Sequence, residues 1–205
     1  MMRSPYLRVQ RTTCLALVGV LALTTLACLG RSPEVRLYTL GAEPRAVDAD
    51  RPSETAVVIG SVRFPRYLER PQIVRRLAGG ALELDEFNRW AGSFEDNVIR
   101  ALGLAVSERL GSDRVVTSPA DPAFAVDFRV AVRFDELVVA ADGTLQMRAA
   151  WSIATGARGE APLLGRTDRD LPVDGRSPRA LVAAHERLIE ALGGDIAAAI
   201  EGARP

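Results

Sequence analysis

The sequence contains no lysine, a single histidine, two cysteines and few aromatic residues, only 5% of the chain. Each shortage removes a class of explanation. The 26 basic side chains are all arginine, which fits a high-GC genome as readily as a binding role and so decides nothing. With His185 as the one imidazole, a Ser or Cys nucleophile has little choice of base and a metal centre lacks its usual ligands. No G-x-S-x-G elbow, phosphate-cradling glycine loop or H-E-x-x-H pair is present. Asp85-Glu86 and Glu95-Asp96 are adjacent acids, and neighbours on a helix face different ways, so they read as solvated residues rather than as carboxylate dyads. The expectation is a protein that is no enzyme and takes no metal or cofactor. The formal net charge is zero, and because Arg3, Arg8 and Arg11 belong to the first 27 residues, 23 basic side chains face 26 acidic ones in the remainder. Such a balance gives no field to gather phosphates, which argues against a nucleic-acid partner.

What the chain does have begins at its start. Three arginines precede an apolar run from Cys14 to Leu26, about thirteen residues, too short for the roughly 20 that span a bilayer. Residues 1–27 therefore read as a cleaved secretion signal. With Cys14 inside it, the mature chain keeps Cys28 alone, and no disulfide is available. Thr25-Leu26-Ala27-Cys28 resembles the bacterial lipobox, with Thr25 at the place usually held by Leu. The resemblance implies that Cys28 carries diacylglycerol on sulfur and becomes an acylated N-terminus, an anchor of two or more chains that does not leave the membrane. By the sorting rule of such lipoproteins, Leu29 in place of Asp favours the periplasmic face of the outer membrane.

After Cys28, residues 28–55 read as a lipidated N-terminus, a short strand over 35–40 and a loop rich in Pro, Ala and acids, and residues 56–205 as a single domain. Residues 56–64 are apolar on both faces, as in a covered central strand, until Pro65. Val126, Phe128, Val130, Val132 and Phe134 alternate with charged residues, Leu145 to Ile153 repeat the pattern, and Asp142-Gly143 between them suits a hairpin turn. A weaker edge strand follows over Leu163 to Asp170. Ser93 with Asp96 three places on resembles a capping box ahead of the stripe Phe94, Val98, Leu102, Val106, Leu110, and Ser177-Pro178 starts a second stripe from Leu181 to Ile200. Gly193-Gly194 weakens that second helix by ~1 kcal/mol per Gly and is a place for a bend. His185 lies near its apolar stripe and reads as a partly buried or surface imidazole. The fold class is α+β, an antiparallel sheet packed against two helices.

Residues 61–90 carry the most specific pattern. Tyr67, Leu68, Arg70, Pro71, Gln72, Ile73, Val74 and Arg76, followed by Phe87, Arg89, Trp90 and Ala91, resemble the hallmark "P-x-Y-L-x-R-P-Q-I-V-x-R … F-x-R-W-A" of the PqiC (YmbA-like) family of ABC-type transport auxiliary lipoproteins. Gly92-Ser93-Phe94 departs from that family's E-P-L. The resemblance implies an outer-membrane subunit of a system that pairs an ABC transporter or permease with an MCE-domain protein to move lipids between membranes. It also implies a homo-oligomeric ring that receives the MCE tunnel. The alternative is an assembly or pilotin-type lipoprotein of another envelope export machine. Tyr67, Leu68, Arg70, Pro71, Gln72, Ile73, Arg89 and Trp90 are the candidate partner-binding residues, since Pro71 stiffens the segment and Tyr, Arg and Trp are the types that dominate interfaces. Tyr67, Ile73, Phe87 and Trp90 read equally well as core, with Arg70 or Arg89 pairing Glu69 or Glu83.

Overall fold

Period-two alternation over residues 128–153 builds the largest regular piece of the fold, the hairpin of β6 (Phe128–Val139) and β7 (Thr144–Thr155), extended by the edge strand β8 (Leu163–Pro172). These are features of a computed structural model, which describes residues 33–41, 53–118, 122–156, 161–175 and 177–203. Gly143 takes φ +85° in the turn, where the Asp142 carboxylate accepts the Thr144 N–H at 2.9 Å. On the inward face Val130, Val132, Phe134, Leu145, Met147, Ala149 and Ile153 are buried. Each such side chain contributes roughly 1.5–3 kcal/mol by leaving water, Ala149 less.

The remaining strands join this meander from the other side. They are β1 (Arg36–Tyr38), β2 (Val57–Arg63), β3 (Gln72–Arg76), β4 (Leu82–Trp90) and β5 (Val115–Thr117). The sheet runs β1-β4-β3-β6-β2-β5, with β7 on the free side of β6 and β8 beyond it. The α+β class stands, and the pairing is mixed rather than wholly antiparallel: β1–β4, β2–β5, β2–β6 and β3–β6 are parallel. Local alternation reports which face a residue takes, and it is silent about which distant strand will lie alongside or in which direction. β2 is indeed central, between β5 and β6, and its Val57, Val58 and Ile59 are buried.

Two helices cover one face, α1 (Phe94–Leu110) and α2 (Pro178–Gly202). Ser93 Oγ accepts the Asp96 N–H at 2.9 Å and Ser177 Oγ that of Ala180 at 3.2 Å, which satisfies first-turn donors, and Gly111 ends α1 at φ +62°. The double glycine does not break α2. A Cβ on Gly193 would stand 2.6 Å from that of Ala105, so this glycine exists to let the helices touch. Trp151 Nε1 donates to Thr167 Oγ1 at 3.1 Å and that hydroxyl to Asp195 at 2.7 Å, tying β7 and β8 to α2.

The described residues from Val35 onward form one compact unit, into which the segment after β1 is locked. Leu40 is fully buried and its N–H is accepted by Asn97 Oδ1 at 3.1 Å, while the Gly41 N–H reaches Glu186 at 3.0 Å. Among the described residues no helix is long and apolar enough to cross a membrane.

Candidate functional site

The segment that carries the family pattern is an interruption of a strand. β2 and β3 both run parallel to β6 along one edge, with Arg63 opposite Arg133 and Arg75 opposite Val139. The connecting chain is longer than the stretch of β6 it accompanies, and the surplus, residues 64–71, is thrown outward. Pro65 starts a 3-10 turn, Arg66–Leu68, in which Leu68 N–H donates to the Pro65 carbonyl at 2.9 Å. The Pro71 carbonyl then accepts the Trp90 N–H at 2.7 Å and docks the loop on β4. From within, Leu68, Ile73 and Trp90 are buried and pin the loop to the core; of the three, Leu68 also lines the pocket beside the loop.

Beneath the loop lies a chain of rings. Phe64 stacks on Phe134 at 4.8 Å and tilts against Phe94 at 5.4 Å, and Trp90 packs on Phe94 at 5.0 Å. His185 meets both Trp90 and Phe94 edge-on, at 5.5 and 5.8 Å. It is buried, in place of the partly exposed position its helix stripe suggested, and its Nδ1 lies 2.8 Å from the Leu181 carbonyl. Burial pushes its pKa down; the Leu181 hydrogen bond opposes this and the Arg75 charge adds to it, and the result is about 4. The ring is neutral at physiological pH and serves as an aromatic.

Between the loop and the start of α1 opens a pocket of about 190 Å³, with Phe64, Leu68 and Phe94 as an apolar floor and Glu69, Arg70, Pro71 and Glu95 around the mouth. Gly92, at φ +85°, turns the chain from β4 into the helix along one wall. Asn97, buried, fixes that wall by donating to the Ala91 and Ser93 carbonyls at 3.0 and 2.9 Å. Arg70 and Pro71 are exposed, and the Arg70 guanidinium has no ion pair among the described residues.

The other candidate residues are engaged nearby. Tyr67 is half-buried and hydrogen-bonds Arg76, which pairs with Glu136 at 2.5 Å; burial acts to lower the Arg76 pKa, but Glu136 and Tyr67 outweigh it and raise it. Gln72 and Arg89 both reach the Glu86 carboxylate, at 3.4 and 3.2 Å, so Arg89 pairs there rather than with Glu83. Phe87 is 45% exposed and is not core. Cys28 lies outside the described residues. Of the pocket's parts, sequence reasoning reached Leu68, Arg70 and Pro71 and placed Phe94 on the helix stripe. It did not join them to Phe64 and Glu95, although Gly92 before the Ser93 cap marks the sharp turn that brings them together.

Among the described residues no cluster of His, Cys, Asp or Glu could hold a metal ion. A second concavity, an open trough of about 580 Å³, lies over the small residues Ser61, Ala131, Ala150 and Ser152, with Arg63 and Arg133 at its side.

A family model described as the ABC-type transport auxiliary lipoprotein component matches residues 38–197. Among solved structures, an uncharacterized protein superposes with a TM-score of 0.65 at 16% identity, over 82% of this chain and 99% of its own. A Xanthomonas campestris protein of the DUF330 family gives 0.51 at 15% identity, over 80% and 90%. These two share the fold. A dodecameric PelC from Paraburkholderia phytofirmans scores 0.42 at 12% identity, over 69% and 86%. No curated protein matches.

Proposed function

Because the chain belongs to the family of ABC-type transport auxiliary lipoprotein components, we propose that it is a lipid-anchored subunit at the periplasmic face of the outer membrane, where it docks an MCE-type lipid transport system through the pocket beside Arg70. The observation that carries this reading is the combination at that pocket. An apolar floor able to receive a partner's side chain sits beside an exposed arginine that forms no ion pair among the described residues, with Glu69 and Glu95 at the same mouth, on a loop stiffened by Pro71 and bolted to the core by Leu68, Ile73 and Trp90. Tyr67, Gln72 and Arg89 flank it and complete the docking surface. In this reading Cys28 carries the acyl chains, no catalysis takes place, and the protein assists assembly of the complex, with copies of itself arranged as a ring.

The test is recovery of an MCE-domain protein and its ABC permease with the native lipoprotein from detergent-solubilised envelopes. Arg70→Ala is expected to lose them while folding normally. A wild-type yield of complex with Arg70→Glu would remove this pocket from the interface. The anchor is tested separately: Cys28→Ser should release the protein from membranes.

A further inference from the structure

The exposed large apolar side chains fall in three places: Leu77 and Leu82 where β3 turns into β4, Leu163 and Leu164 at the start of β8, and a group of three at the β1–β4 corner. Val35, Leu37 and Phe87, at 45%, 64% and 45% exposure, stand together where β1 pairs with β4. Arg36 pairs with Asn88, Leu37 with Arg89 and Tyr38 with Trp90, so Val35 and Phe87 are the residues that immediately precede this short parallel ladder, and Leu37 lies within it. The exposure of Phe87 has a backbone cause. Gln72 pairs with Arg89 but the next residue, Ile73, pairs with Asp85, so residues 86–88 bulge away from β3, while Asn88 still pairs with Arg36 of β1. The Asp85 carboxylate holds that bulge by accepting the N–H groups of Phe87 at 3.1 Å and Asn88 at 2.9 Å. A fixed bulge thus holds an aromatic ring in water, beside Leu37 of the edge strand β1 and Val35 just before it, and offers apolar surface at the end of the molecule where the described chain begins.

We infer that what covers it is the membrane that holds the anchor: Val35, Leu37 and Phe87 seat the β1–β4 corner in the headgroup region of the bilayer. The inference rests on acylation of Cys28, the anchor of the reading above. Only seven residue steps separate Cys28 from Val35, and even fully extended they reach roughly 25 Å. The patch therefore begins where the tether ends, and an anchored molecule keeps it within a short distance of the lipid at all times. Shallow burial of a few aliphatic and aromatic side chains, weak alone, becomes effective at the high local concentration a tether imposes. The domain is then oriented on the membrane, and the acyl chains are not its sole contact.

The mature chain supplies a clean experiment, since Cys28 is its one cysteine and is blocked when acylated. Single cysteines replace Leu37, Phe87 and, as a control on a different edge, the 79% exposed Leu164 of β8. Each variant is purified as the native lipoprotein, labelled with nitrobenzoxadiazole and reconstituted into phosphatidylethanolamine–phosphatidylglycerol vesicles with or without lipids bearing a nitroxide high on the acyl chain. Probes at Leu37 and Phe87 are expected to emit at shorter wavelength and to be quenched several-fold more than the probe at Leu164. Equal quenching at all three positions, or none at any, overturns the proposal. A blue shift without nitroxide quenching also overturns it, because the patch is then covered by protein, another copy or a partner. Labelling of the parent protein itself would instead reveal a free Cys28 thiol and the failure of the anchor.

Discussion

The β6–β7–β8 meander and the β1–β4–β3 corner are built by opposite rules. The first keeps an unbroken antiparallel register along β7 and β8, interrupted on β6 by a single shift beside Asp135, and it hides its apolar face under two helices. The second is parallel in part and displaced by a bulge at residues 86–88, with a loop ejected at residues 64–71; exposed apolar side chains occur in both, Val35, Leu37 and Phe87 here and Leu163 and Leu164 at the outer strand of the meander. Regular pairing satisfies backbone groups and aligns side chains at little cost. Departures from it re-aim residues, and they concentrate here at the two surfaces assigned to recognition. On the reading proposed above, the meander is the scaffold and the corner is where the molecule meets others.

Mutations that separate support from contact sharpen this contrast. Trp90 belongs to the irregular corner by sequence but to the scaffold by burial, so Trp90→Ala is expected to lower unfolding free energy by about 3–5 kcal/mol in urea titrations. Unchanged stability with lost partner binding would place it on the surface after all. His185 gives an effect of similar order through pH. Its pKa is held at about 4 in the fold against about 6.5 in the unfolded chain, so the unfolded state takes up a proton first as pH falls. Stability is complete above 6.5 and declines toward pH 4 by up to roughly 3 kcal/mol, and urea midpoints measured across that window should show the slope. His185→Phe, which keeps a ring against Trp90 and Phe94, should flatten this part of the slope.

Smaller effects come next. Gly193→Ala gains ~1 kcal/mol of helix propensity but forces a methyl to within 2.6 Å of Ala105, and the overpacking should leave a net loss of about 1 kcal/mol by the same titration. Net stabilisation would mean the helices part freely. Arg70→Ala should move stability by less than about 0.5 kcal/mol, since its guanidinium is exposed and has no ion pair among the described residues, while complex recovery falls. A large destabilisation would make Arg70 part of the scaffold.

Much of the scaffold is legible in the sequence because its signals are local. The alternation of Val130, Val132 and Phe134, the Asp142-Gly143 turn, the Ser93 and Ser177 caps and both helix stripes require no knowledge of distant neighbours. The corner is not legible in the same way. The parallel pairing of β1 with β4 and of β2 with β6 joins segments far apart in the chain, and a bulge at residues 86–88 destroys the period-two pattern that would say which of Phe87, Arg89 and Trp90 faces inward. The family pattern gathers the residues around Arg70 without saying which are pillars and which are surface. Burial divides them.

The lock at Leu40 gives the molecule a mechanical character. Tension entering from the N-terminal side of Val35 runs along the axis of β1, so its parallel bonds to β4 are loaded together in shear instead of being unzipped one after another. Behind them the buried Leu40 and its bond to Asn97 act as a stop against α1. If Cys28 is acylated as proposed, a pull on that anchor is borne by the whole sheet and helix layer, as suits a part that keeps its footing.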